Sequence, residues 1–173
     1  MRLNGNFHGS YHTATGSSYH LGRGLLAGLL NGVHAIVYYG VKSGVSAPSI
    51  FRYIASGLIG SHAARQSGWA GVVLGVALHL SIALGAATSY YFAALKFSLL
   101  IRRPFLSGTV LGLGLYLVMY HIVIPLSALP KNPHATFSIA DFISEIFAHV
   151  VLVGFPIALL ARRSTRVKPM TGQ

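Results

Sequence analysis

The chain has 173 residues; 53% are hydrophobic and 9% charged, with 13 Lys and Arg against 2 Asp and Glu. A soluble domain carries roughly 25% charged residues, so the composition argues against a water-soluble enzyme and for a single membrane-embedded domain. The formal net charge of +11 does not mark a nucleic-acid binder, because the charges fall between long apolar runs and not on one water-exposed face. No Cys is present, which removes disulfides, thiolate metal sites and Cys nucleophiles from consideration.

In chain order, residues 1–21 form a polar tail rich in Gly, Ser, Thr, Tyr and His. Such a stretch buries too little apolar surface to fold alone, so we expect a tail that is disordered or ordered by a partner. Metal binding by His8, His12 and His20 is the alternative there. From Gly24 to Val41 no charge occurs, which predicts a first membrane span over about 22–41. Val45-Ser46-Ala47 loosely resembles a signal-peptidase site, but the apolar run before it is too long for a signal peptide, and we expect it to be retained. Residues 48–60 carry Pro48 at a helix start and an apolar stripe of Ile50, Phe51, Ile54, Leu58 and Ile59. This stretch is too short to span and predicts an interfacial helix. Further uncharged runs predict spans over about 69–95 and 105–127, and the apolar run from Ile146 to Ala161, with Asp141 and Glu145 just upstream, predicts a fourth over about 139–161, the domain closing near 163 before a basic tail over 164–173. Pro125 and Pro156 are expected to kink or end their spans. Glycines recur at four-residue spacing at Gly24, Gly28 and Gly32, at Gly71 and Gly75, and at Gly108 and Gly112, a pattern that lets helix backbones approach closely. The expected fold is therefore all-α: a polytopic membrane protein built as a four-transmembrane-helix bundle with one short interfacial helix.

Basic residues orient the bundle. With the N-terminus inside, Arg2, Arg23, Lys96, Arg102, Arg103, Arg162, Arg163, Arg166 and Lys168 are cytoplasmic, against Lys42, Arg52, Arg65 and Lys131 outside. Both termini are thus expected in the cytoplasm. Arg102, Arg103, Arg162 and Arg163 are the strongest topology markers and candidate lipid-headgroup contacts. Tyr38-Tyr39, Tyr90-Tyr91 and Trp69 sit near span ends and read as interfacial aromatic belts.

Each span carries one histidine: His34, His79, His121 and His149. Asn31 lies one turn before His34, and Glu145 lies four residues before His149, on the same helix face. Ionisable groups within a membrane are costly and turn to a bundle interior or cavity. From the helical rise, His34, His79 and His121 sit roughly 4–8 Å to the outer side of their span centres, so the set is placed to converge in the outer half. Three chemistries stay open. The histidines can be structural, bonded to Ser81, Ser127, Ser144 or a backbone carbonyl. They can relay protons or ions. They can bind haem or a metal, with His79, His149 and Glu145 as candidate ligands. Phosphate loops, hydrolase elbows and paired-carboxylate sites have no counterpart here.

Tyr53-Ile-Ala-Ser-Gly-Leu-Ile-Gly, the run from Leu74 to Ala83 around His79, Arg102-Arg-Pro-Phe-Leu-Ser-Gly, and the run from Val118 to Ala128 together resemble a group of uncharacterised bacterial four-span membrane proteins. Ser144-Glu-Ile-Phe-Ala-His is similar to the last span of the YagU-like inner-membrane proteins. The likeness covers roughly residues 50–163. It implies a bacterial inner-membrane location; in the related pattern the position of His121 is more often Asn. The expectation is a non-enzymatic integral protein of the inner membrane. It would be an accessory or structural subunit, with the lipid bilayer, other membrane subunits or a second copy as partners and no nucleic acid. The alternatives are a proton or ion pathway and a haem- or metal-binding protein.

Overall fold

A computed structural model describes residues 14–129 and 137–166, and every regular element in them is helical. Helix α1 runs Ala14–Ser43, so it starts inside the stretch expected to be tail. Adding a residue to an existing helix costs far less than nucleating one, and the apolar span supplies the nucleus. His8 and His12 lie outside the described residues. After Gly44, in a left-handed conformation (φ 64°), the chain turns into α2, Ala47–Ile59. Ser46 is extended and Pro48 fills the first turn, where a missing N–H costs nothing. Gly60 (φ 78°) ends α2, α3 covers Ser61–Gln66, and α4 runs Gly68–Lys96. A short α5, Ser98–Arg102, leads to Pro104, which opens the third span.

The third and fourth spans are not uniform α-helices. The third comprises α6 (Pro104–Val118), a π-helical turn (Met119–Val123) and α7 (Ile124–Leu126). The fourth comprises α8 (Ile139–Phe147), a π-helical segment (Ala148–Gly154) and α9 (Phe155–Arg166). Each wide segment directly precedes a proline-bearing turn, at Pro125 or Pro156. Proline cannot donate to the carbonyl four residues back and its ring collides with it. Widening the preceding turn relieves that collision. The prolines therefore leave both helices continuous and change their local winding. At the start of α8, Ser138 Oγ accepts the Asp141 N–H at 3.3 Å, a side-chain N-cap.

Among the described residues four helical segments are long and apolar enough to cross a bilayer: Leu21–Ser43, Gly68–Lys96, Pro104–Leu126 and Ile139–Arg163. The first packs against the second and the fourth, and the third packs against the fourth. The second and third make no extended contact and are joined mainly through α5 at one end. At the other end α2 lies against α4, and the Ala128 N–H donates to the Gly57 carbonyl at 2.8 Å, tying α2 to the end of the third span. The outer faces carry large exposed apolar side chains, among them Leu29, Val33, Val73 and Leu117, each more than half exposed. Water would not tolerate such continuous faces; hydrocarbon matches them.

Backbone proximity holds the spans. A Cβ at Gly112 would strike the His149 carbonyl, and one at Gly108 the Gly154 carbonyl; the Phe51 backbone of α2 occupies the same place over Gly75 of α4. Toward the α5 end, Ala27, Ala86, Ala87, Val153, Ile157 and Ala158 form a dry apolar core. One sequence reading changes here. Tyr90 is only 4% exposed and its hydroxyl donates to the Leu100 carbonyl at 2.9 Å, beside Ser107 Oγ at 3.0 Å. It is a buried clasp between α4, α5 and α6, not part of an aromatic belt. Arg23 is likewise buried in the bundle, unlike the exposed Arg102, Arg103 and Arg163 at the same end. Its long stem lets it pack inward where a shorter charged group would not reach.

Gly112→Ala is expected to cost about 1–3 kcal/mol by overpacking. Gly114, with open space at its Cβ position, is the control. Gly114→Ala is expected to hold or raise the melting temperature. Thermal unfolding of both variants in one detergent checks the pair.

Candidate functional site

Between the second and third spans, under α2, lies a cavity of about 730 Å³. The geometry of the bundle makes it: the third span is held on the fourth, and its other side faces a second span it does not touch closely. α1 contributes Asn31, His34 and Tyr39; α2 contributes Tyr53 and Ile54; α4 contributes His79 and Ile82. The third span adds Leu115, Met119 and Tyr120, and the fourth adds Glu145 and His149. Most of the wall is apolar, with a few polar groups converging on it, as small-molecule sites are usually built.

The polar groups are individually anchored. His34 Nε2 lies 2.9 Å from Ser144 Oγ, and its ring sits against Tyr38 and Phe147. His79 Nε2 donates to the Gly28 carbonyl at 2.8 Å, and Phe51 meets the ring edge-on at 6.2 Å. His149 Nδ1 donates to the Glu145 carbonyl at 2.8 Å, which leaves Nε2 as the ring atom without its proton in the neutral form. Tyr116 packs edge-on to the same ring at 5.8 Å. His149 falls in the π-helical segment, where the wider turn carries it beside Gly112.

The two carboxylates have different surroundings. Asp141 contacts Lys42 Nζ in an ion pair and accepts the Tyr38 hydroxyl at 2.9 Å. One turn deeper, Glu145 Oε1 accepts the Tyr39 hydroxyl at 2.9 Å, while Oε2 stands 3.6 Å from His149 Nδ1, beyond a hydrogen bond. Among the described residues no Lys or Arg lines the cavity. Tyr38 and Tyr39 thus hold carboxylates, and Tyr39, at the cavity wall, departs from its reading as a belt residue.

Of the sequence-predicted set, Asn31, His34, His79, Glu145 and His149 line one cavity. His121 does not. It is exposed, and its Nδ1 donates to the Leu117 carbonyl of its own helix at 3.2 Å. The π turn over Met119–Val123 changes the phase of the helix, so its place in the sequence misjudged its face. His79, Glu145 and His149 share the cavity but do not close around a point; among the described residues no three His, Asp or Glu form a metal-holding group. Sequence reasoning missed Tyr39, Tyr53 and Tyr120. Tyr39 stands eight residues from Asn31, about two turns along one helix, a spacing that a helical projection could have related to the polar face.

Four lipid-compatible spans around an internal cavity define the class: an integral, multi-pass, all-helical membrane protein. Comparison with protein-family models, with curated proteins and with solved structures finds no match to this chain.

Tyr39→Phe leaves Glu145 without its hydroxyl donor and is expected to cost about 1–2 kcal/mol of stability. The chain has only 2 Asp and Glu side chains, so their infrared carboxylate bands are assignable. The Glu145 band is expected to shift in Tyr39→Phe and to stay in place in Tyr38→Phe, which instead moves the Asp141 band.

Proposed function

We propose that the chain is a non-enzymatic protein of the bacterial inner membrane that holds a small, membrane-dissolved molecule, acting as an accessory binding subunit of a larger membrane assembly. The cavity between the second and third spans carries this reading: about 730 Å³ of largely apolar space with histidine, tyrosine and one carboxylate at its wall. That volume lies within the range of ligand sites. The gap between two spans gives a route of entry from the bilayer without crossing a headgroup layer. In the orientation set by the basic residues, with both termini cytoplasmic, the cavity occupies the outer half. Kinship with the YagU-like proteins belongs to the same proposal, because Ser144, Glu145 and His149, in the stretch that carries the likeness, stand at or beside the cavity wall.

A transmembrane proton or ion pathway is less well supported. The polar set ends where Ala27, Ala86, Ala87, Val153 and Ile157 close the bundle. A conducting chain would have to pass that dry layer, where an unsolvated charge costs several kcal/mol or more.

Native mass spectrometry of the protein released from a mild detergent tests the binding reading. The wild-type chain is expected to keep a small adduct that organic solvent removes. Ala35→Phe, which fills the cavity from α1, is expected to lose that adduct while keeping its helical circular dichroism. A wild-type protein that carries no adduct after gentle extraction, and regains none from lipid extract, overturns it. Migration with a partner during mild solubilisation is the expected result for an accessory subunit, and a lone monomer is the contrary one.

A further inference from the structure

Among the described residues Glu145 is the one acid that lines the cavity, and half of its carboxylate is left without a hydrogen bond. Its Oε1 is bonded to the Tyr39 hydroxyl. Among the described residues its Oε2 has no hydrogen bond: His149 Nδ1 stands 3.6 Å away and directs its proton to the Glu145 backbone carbonyl at 2.8 Å. The Glu145 side chain keeps 21% of its surface open and lines the cavity. The basic side chain next to this region, Lys42, is already held by Asp141 at the mouth of the bundle. Among the described residues the cavity wall therefore carries an acid and neither Lys nor Arg.

A carboxylate in such surroundings is stabilised most by a positive charge that donates a hydrogen bond. The aromatic wall favours the same occupant. Tyr39, Tyr53 and Tyr120 line the cavity, and the ring face of a tyrosine attracts a cation within about 6 Å. The remaining wall, with Ile54, Ile82 and Leu115, suits an apolar body. A neutral ligand without a donor would leave Oε2 unsatisfied, and a neutral donor would bond to it but leave its charge unpaired. An anion would meet the carboxylate with repulsion.

We propose that the occupant is a hydrophobic amine, bound as its ammonium form, with its N–H on Glu145 Oε2 and its apolar body between the second and third spans. This rests on the reading of the cavity as a ligand site and specifies the ligand's charge. The histidines then act as anchored wall groups: His34 through Ser144, His79 through the Gly28 carbonyl, and His149 through the Glu145 carbonyl.

The test uses the full chain in nanodiscs of phosphatidylcholine, whose net charge is zero, with empty nanodiscs as the blank. Two probes of one shape are titrated by calorimetry: 1-adamantylamine, protonated at neutral pH, and 1-adamantanol, uncharged. The wild-type protein is expected to bind the amine at least tenfold more tightly than the alcohol. Glu145→Gln keeps an oxygen for the Tyr39 hydroxyl and is expected to bring the amine down to the affinity of the alcohol, leaving the alcohol unchanged. Tyr53→Leu changes a side chain 62% exposed on α2, away from the packed core, and is expected to weaken the amine several-fold and the alcohol little. Equal affinities in the wild type, or a preference that survives both substitutions, overturn the cationic ligand and leave the cavity reading standing. Binding of neither probe by the wild-type protein overturns both.

Discussion

The third and fourth spans meet backbone to backbone, and the rest of the site follows from that contact. Gly108 and Gly112 on one helix face Gly154 and the His149 carbonyl on the other, at distances that admit no Cβ. In hydrocarbon, apolar side chains gain little by leaving lipid for protein, so association depends on such close approach. The contact commits the third span to the fourth. The first span already lies between the fourth and the second, so the bundle stays open between the second and third. The cavity is that opening, roofed by α2 and floored by the apolar core.

The π-helical segments belong to the same arrangement. Proline at the start of a following turn forces the wider winding, and the winding decides which side chains face inward. In the fourth span it carries His149 to the cavity wall, backed by Gly112. In the third it turns His121 outward and places Met119 and Tyr120 at the wall. Neither proline works as a simple break, and each sets the phase of its helix.

The two acids show how position along one helix face sets chemistry. Asp141 lies at the end of the bundle, where Lys42 reaches it, and the pair closes on itself. Glu145 lies one turn deeper, with a tyrosine hydroxyl and a histidine as neighbours. The first is structurally satisfied and the second faces the open space. Both residues are obvious in the sequence as its only acids, yet the difference between them depends on Lys42 and Tyr39, more than 90 residues earlier in the chain.

The amino-acid sequence by itself determined the helical class, the four spans to within a few residues at most ends, the short helix between the first two, and five of the residues that line the cavity. These follow from local facts: the length of uncharged runs, the starts marked by proline, and the cost of placing a histidine or glutamate in lipid. It misjudged what depends on neighbours distant in the chain. Tyr90 read as a belt residue because its partners Leu100 and Ser107 belong to other helices, and Tyr39 read likewise because Glu145 lies on the fourth span. His121 read as part of the polar set because a uniform 3.6-residue period was assumed across a π turn. Only the tertiary structure decided which spans touch and which part. Helix rotation and neighbour choice arise from side-chain and backbone fit between segments, and a cavity exists only as the space such fits leave between them.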